Sequence, residues 1–169
     1  MSPSVLSDAF AHHAWATQRL LDECAGLTPD QLATTVPGTY GSILDTMRHI
    51  VGADASYLNV MTGGRIASID EESMTLDELR ALMPGYGEAW TSSVAGSFDP
   101  EEDVVRHRDD GTDSHGTRGV RLAQALQHGT DHRSQICTAL TTLGIEPPEI
   151  DVWAWAAEEG RIWVVPADS

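Results

Sequence analysis

Residues 119–143 read GVRLAQALQHGTDHRSQICTALTTL, and this stretch decides the fold. Small or apolar residues and one histidine recur in it in alternating steps of three and four, which is the spacing of the buried face of a helix. The recurring positions are Leu122, Ala125, Gly129, His132, Ile136, Ala139 and Leu143. The pattern predicts one long helix that packs against other helices and ends at Gly144.

Two histidines of this helix, His128 and His132, are four residues apart and therefore share one face. Such a pair is half of a metal site, because a third ligand must come from elsewhere. The alternative is two polar residues on a helix flank, one hydrogen-bonded and one solvated. The place of His132 within the apolar spacing indicates that its imidazole has a partner, since burying an unpaired imidazole is costly.

The composition describes one globular domain, residues 1–169, with 41% apolar residues and a formal net charge of −16. So negative a chain repels nucleic acid and anionic membranes, which excludes both as partners bound by charge attraction. No signal peptide and no apolar run of about 20 residues is seen, so we expect a cytoplasmic protein. Cys24 and Cys137 are expected as buried, reduced thiols rather than as a disulfide.

Three further amphipathic segments precede this helix. They span residues 4 to 24 or 25, residues 42–64, and residues 75–95, where Pro84 predicts a kink or a break. Residues 98–118 are polar, and their Asp110-Gly111 turn allows a small hairpin, with an ordered loop as the alternative. Asp151 caps a short C-terminal helix. The sequence therefore predicts an all-α protein, a four-helix bundle with a short C-terminal helix.

Two histidines of the earlier segments are further candidates for a site. His13 falls on the apolar face of the first helix, where we expect a core histidine bonded to a neighbour, with metal binding as the alternative. His49 lies beside the apolar face of the second helix, and its spacing alone favours a half-exposed histidine.

Two segments of the chain resemble the signature segments of the DinB-like superfamily, which includes the YfiT-like proteins. They are MRHIVGADASYL at residues 47–58 and LQHGTDHRSQICTALTTLG at residues 126–144. HAWATQRLLDECAGL and DVWAW are similar to other parts of the family, so the resemblance covers nearly the whole chain. Its most specific part is HxxxHRxQ, which here comprises His128, His132, Arg133 and Gln135. Ser134 departs from the family, where glycine is frequent.

This resemblance implies an up-down-down-up order of the four helices and one divalent metal held by His49, His128 and His132. Three imidazoles fill one face of an ion and leave positions open for water or substrate, as at catalytic sites. Nitrogen ligands suit Zn or Ni, with Fe or Mn as alternatives. The near carboxylates that could orient the imidazoles are those of Asp45, Asp54 and Asp131.

Relatives of this kind include S-transferases that use a low-molecular-weight thiol. The resemblance thus implies a homodimeric detoxification enzyme that acts on a small-molecule substrate. Arg133 is the candidate contact for the thiol, with a structural ion pair as its alternative. An anionic thiol suits so acidic a chain only if its pocket is locally basic, and Arg118, Arg121 and Arg133 could supply that charge.

Two other functions remain open at this point. A metal-dependent hydrolase would use metal-bound water. A non-catalytic metal-binding protein of the stress response would have a closed site, with His13 as the fourth ligand.

Overall fold

A computed structural model describes residues 4–108 and 110–165 of the chain. The fold is mostly helical with one small two-stranded sheet, which confirms the predicted helices and hairpin. In chain order the elements are α1 (Val5–Cys24), α2 (Pro29–Leu32), α3 (Ile43–Met61), α4 (Leu76–Ser93), β1 (Asp103–His107), β2 (Asp113–Thr117), α5 (Arg118–Thr142) and α6 (Val152–Glu158).

Each long helix begins after a serine or threonine whose side chain accepts a hydrogen bond from a backbone N–H of the first turn. These N-caps are Ser4, Ser42, Thr75 and Thr117. The first turn of a helix has N–H groups without a backbone acceptor, so a capping oxygen satisfies one of them. The chain therefore specifies locally where its helices begin.

Helix α4 is continuous from Leu76 to Ser93 and includes Pro84. The sequence predicted a kink or a break at this proline, and the continuous helix shows that the break is wrong. Proline inside a helix costs about 3 kcal/mol. Leu79, Met83 and Trp90 are all buried on one face of α4, and burying three large apolar side chains contributes more than that cost.

Side-chain contacts give the relative direction of α1 and α4. Phe10, near the start of α1, stacks on Trp90, near the end of α4, with ring centroids 4.6 Å apart. Arg80, near the start of α4, forms an ion pair with Asp22, near the end of α1, at 2.7 Å. The two helices therefore run antiparallel.

Helices α3 and α5 also run antiparallel. Just before α3, the backbone N–H of Tyr40 donates to the Gln135 side chain in the second half of α5, at 2.8 Å. Late in α3, the Tyr57 hydroxyl accepts from Gln124 in the first half of α5, at 3.4 Å. Helix α1 also packs against α5, and α3 against α4, so all four long helices share one core.

The hairpin is fastened to α5 by Arg121. Strands β1 and β2 pair antiparallel, with Val105 opposite His115. The Arg121 guanidinium donates to the carbonyl oxygens of Val104 and Ser114, one on each strand, at 2.8 Å. This arginine therefore has a structural role.

No helix in the described parts of the chain is long and apolar enough to cross a membrane.

Three polar side chains are buried where α1, α3 and α5 meet: His13, Asp54 and Arg133, none more than 3% exposed. His13 Nε2 lies 3.0 Å from both carboxylate oxygens of Asp54, and Arg133 Nη1 lies 3.2 Å from His13 Nδ1. Because a guanidinium can only donate, His13 Nδ1 accepts from Arg133 and the Nε2–H donates to Asp54. His13 is thus the hydrogen-bonded core histidine that the sequence favoured.

Gly129 of α5 leaves the space that this buried network occupies. A Cβ at this position would lie 2.4 Å from His13 Cε1 and 2.8 Å from Arg133 Nη1, both closer than atoms can approach. The imidazole is packed on all sides and cannot move aside. A larger residue would therefore separate α1 from α5.

We predict that Gly129→Ala destabilises the protein although alanine is normally the better helix former by about 1 kcal/mol. Overpacking should lower the free energy of unfolding by about 1–3 kcal/mol. The matched control is Gly85→Ala in α4, where a Cβ meets nothing within 4 Å and a small stabilisation is expected. Urea unfolding measures both. Equal free energies of unfolding for the two variants would contradict the tight approach of α1 to α5.

Candidate metal site

Three histidines from two helices converge beside the core. His49 lies in the second turn of α3, and His128 and His132 lie one turn apart on α5. One ring nitrogen from each lies within 4.8 Å of the other two, and all three residues are half-buried. The structure thus brings together the three histidines that the resemblance implied, and this group could hold a metal ion.

The ring nitrogens are spaced closely enough to share one metal ion. His128 Nε2 lies 3.0 Å from His49 Nε2, and the His128 and His132 ring centroids lie 4.5 Å apart. An ion with Zn–N bonds of about 2.0–2.1 Å in tetrahedral geometry holds two nitrogens about 3.3 Å apart. The His49–His128 pair of nitrogens is therefore within a few tenths of an ångström of this spacing, and all three nitrogens lie close enough together to hold one ion.

The environment of His128 keeps its imidazole neutral. Burial lowers the pKa of His128 to about 4, and the neighbouring imidazoles of His132 and His49 act in the same direction. Metals bind the neutral imidazole, because only that form has a free lone pair. Near neutral pH the His128 imidazole is therefore already in the form that could bind a metal.

Glu71 orients His49. Its Oε2 lies 3.3 Å from His49 Nδ1, so that Nδ1–H can donate to the carboxylate and leave the Nε2 lone pair directed at the other histidines. Tyr40 stacks on the same ring, with centroids 4.0 Å apart and planes 6° from parallel. Gly52 gives the Glu71 side chain room to lie along α3, because a Cβ there would be 2.2 Å from Glu71 Oε1.

Gln135 has the corresponding role for His132. The Gln135 Oε1 atom lies 3.1 Å from His132 Nδ1 and also accepts the backbone N–H of Tyr40 at 2.8 Å. One amide oxygen therefore fixes both the His132 imidazole on α5 and the loop that carries Tyr40. Two of the three imidazoles are thus oriented through Nδ1.

The carboxylates expected to orient the imidazoles have other partners. Asp45 accepts from the Ser42 hydroxyl, Asp54 accepts from His13, and Asp131 accepts from Gln127. Sequence reasoning missed Glu71, because the linker between α3 and α4 has no periodicity. The one available signal was a glycine inside a helix, Gly52, which is typical of a close approach by another group.

The arginines proposed as a locally basic pocket are engaged elsewhere. Arg118 donates to the Glu102 carboxylate and to the Ser93 carbonyl, and Arg121 holds the hairpin. Arg133 is 3% exposed, and its recorded contacts in the described residues are with His13 and Thr17 of α1 and with Thr130 of its own helix. Binding of a cofactor by Arg133 stays a prediction, and its contacts favour the structural alternative.

Comparison with known proteins agrees with the resemblance seen in the two signature segments. The sequence model described as the DinB family matches residues 1–161, which is nearly the whole chain. No curated protein matches the chain.

The pKa of about 4 for His128 predicts a pH dependence of stability in metal-free protein. An unfolded chain takes up this proton near pH 6.5, whereas the folded chain takes it up near pH 4. Stability from the neutral imidazole is therefore fully present above about pH 6.5 and is lost as the pH falls towards 4.

NMR titration of the His128 ring and urea unfolding at pH 7 and pH 4.5 measure this effect. The variant His128→Gln serves as the control, because carboxylates also titrate in this range, and it should lose less stability on acidification than the wild type. A pKa of 6.5 or above for His128 would rule out the buried, neutral ligand.

Proposed function

The chain belongs to the DinB family, and we propose that it is an enzyme that depends on one divalent transition metal held by His49, His128 and His132. The observation that carries this proposal is the convergence of three ring nitrogens within 4.8 Å. Zn or Ni is the proposed metal, because imidazole nitrogen suits both and the affinity series places them above Mn and Fe.

An open site supports catalysis over a purely structural role. No fourth histidine, cysteine or carboxylate joins the group within residues 4–108 and 110–165. His13, the candidate that would have closed the site, is bonded to Asp54 and Arg133. A divalent metal held by these three histidines would supply Lewis-acid chemistry to a small molecule bound there.

The residues around the group prepare the three ligands. Glu71 and Gln135 hold the Nδ1 atoms of His49 and His132, so the Nε2 lone pairs need no reorientation when an ion arrives. The Tyr40 ring covers one face of His49, which shields that face from water. Preorganisation of this kind stabilises binding by reducing the entropy lost on ordering the ligands.

The proposed reaction is transfer of a low-molecular-weight thiol to an electrophilic small molecule. The thiol releases its proton to solvent and its sulfur forms a bond to the electrophilic carbon, while the leaving group departs with the electron pair of the broken bond. The chain's own thiols are poorly suited to this attack. Burial raises the pKa of Cys24 to about 12 and also raises the pKa of Cys137, so both remain protonated and weakly nucleophilic. The attacking thiol would therefore come from a separate molecule.

For the fold we propose the four-helix bundle in up-down-down-up order. The antiparallel pairs α1/α4 and α3/α5 support this order, as does the packing of α1 against α5 and of α3 against α4. The homodimer and the role in detoxification rest on the family resemblance and stay predictions.

We predict one equivalent of metal in purified, tag-free wild-type protein and little in His49→Ala or His128→Ala, measured by mass spectrometry after reconstitution. His107→Ala is the control, because His107 is an exposed histidine on β1 whose partner is Asp113. It should keep the full metal content. Full occupancy in His49→Ala would show that the site is assigned wrongly.

The same samples test the reaction. Loaded wild-type protein should consume a low-molecular-weight thiol in the presence of an electrophile, and the loss of turnover in His49→Ala should parallel its loss of metal. A fully loaded protein that consumes no thiol with any electrophile tested would sink the transferase proposal and favour a non-catalytic metal-binding protein.

We predict that Glu71→Ala and Gly52→Ala both weaken Zn²⁺ binding by about 10-fold or more, because each removes the acceptor at His49 Nδ1. In Gly52→Ala the three atoms nearest to the new methyl group are Oε1, Cδ and Cγ of the flexible Glu71 side chain, so this side chain should leave while the helix keeps its stability. Competition with a chromophoric chelator measures the affinity. Glu72→Ala, an exposed neighbour, is the control and should bind Zn²⁺ like the wild type.

A further inference from the structure

A cleft separate from the three histidines lies between the end of α3, the linker that follows it, and strand β1. Its volume is about 620 Å³. Polar groups in its lining include Ser56 and Asn59 of α3, Ser68 of the linker, and Arg106, His107 and Arg108 of the hairpin. None of the three histidines of the metal site lines it, so this is a separate feature of the molecule.

The charge of this cleft is opposite to that of the chain. The protein has 26 acidic residues and ten basic ones, all ten of them arginine. Among the described residues that line the cleft, two are arginines and none carries a carboxylate. A chain with a net charge of −16 thus has one cleft whose described lining carries only positive or neutral side chains.

The two arginines also differ from the other eight in their contacts. Each of the eight donates from its guanidinium to an oxygen of a described residue. These eight are Arg19, Arg48, Arg65, Arg80, Arg118, Arg121, Arg133 and Arg161. For Arg106 and Arg108, which are exposed, no such bond to another described residue is found.

Proximity to the end of α3 explains part of this arrangement. The C-terminal end of a helix carries partial negative charge and favours nearby cations. That effect explains why an arginine lies here, but it does not require two of them. It also does not explain why no acidic side chain is found among the described residues that line the cleft. The described lining of the cleft instead includes Ser56 and Ser68, whose hydroxyls can donate hydrogen bonds to an anion. The amide of Asn59, in the same lining, already donates one hydrogen bond to the Ile66 carbonyl.

We propose that this cleft binds the oxyanion of a small molecule, a carboxylate or a phosphate, through Arg106 and Arg108. The guanidinium group presents parallel N–H donors that match the two oxygens of either group. The hydroxyls of Ser56 and Ser68 are the additional donors within the same lining.

The position of the cleft suits a ligand that also reaches the histidines. Ser56 follows His49 by seven residues, so both lie on the same side of α3 about 10 Å apart along its axis. A molecule held by its anionic group in the cleft could place a reactive group near the metal ligands. This extension rests on the proposed function, whereas binding of the anion itself does not.

The test is an NMR titration of metal-free protein with inorganic phosphate and, separately, with succinate, at constant ionic strength set with sodium chloride. Saturable shifts of the amide signals of residues 106–108 and Ser68 are expected with at least one of the two anions. The anion that saturates at the lower concentration identifies the chemistry of the ligand. Because no metal is present, a failure of metal binding leaves this titration interpretable.

Three variants and one control make the test specific. Arg106→Gln and Arg108→Gln should each weaken binding by about tenfold, the typical effect of losing a charge-assisted hydrogen bond, and the double variant should abolish it. Arg80→Gln changes the net charge equally on another surface and should bind like the wild type. Shifts that do not saturate, binding retained by the double variant, or equal weakening in Arg80→Gln would each overturn the proposal.

Discussion

The hydrogen-bonded chain from Arg133 through His13 to Asp54 constrains how the long helices meet. Burying charged groups is costly, and removing one partner of a buried pair typically costs about 3–5 kcal/mol. The three side chains, none more than 3% exposed, are therefore stable only when α1, α3 and α5 bring all of them together. Arg133 directly follows His132, and Gly129 directly follows His128. The rotation of α5 that aims Gly129 and Arg133 at α1 thus also aims the two histidines at α3.

Two glycines allow polar groups to approach the helices, and they differ in what an added methyl group would meet. At Gly129 it would meet a buried imidazole, His13, that has no free space to move into. At Gly52 it would meet the end of the flexible Glu71 side chain. A side chain at Gly129 would therefore lower the stability of the core, whereas one at Gly52 would disturb the orientation of His49. The effect of replacing a helical glycine thus depends on whether the side chain packed against it can move.

The parts of the structure that depend on local sequence were predictable: the helix caps, the long amphipathic helices, and the His128/His132 pair. The role of His49 was not, because spacing placed it on a half-exposed flank and only the family resemblance joined it to the pair. Glu71 was missed for a related reason, since its contact is made by tertiary packing of a linker without periodicity. A kink or a break was predicted at Pro84, and the break was wrong because burial of the α4 face outweighs the loss of one hydrogen bond.

The net charge of −16 acts differently on the two kinds of ligand proposed. A negative field attracts a divalent cation to the three histidines, so metal binding needs no local compensation. An anionic thiol or substrate is repelled by the same field and needs positive charge close to where it binds. Arg118, Arg121 and Arg133 are held by carboxylate, carbonyl and core partners. Arg106 and Arg108 line the cleft on the same side of α3 as His49, so they could supply the compensating charge for such a ligand.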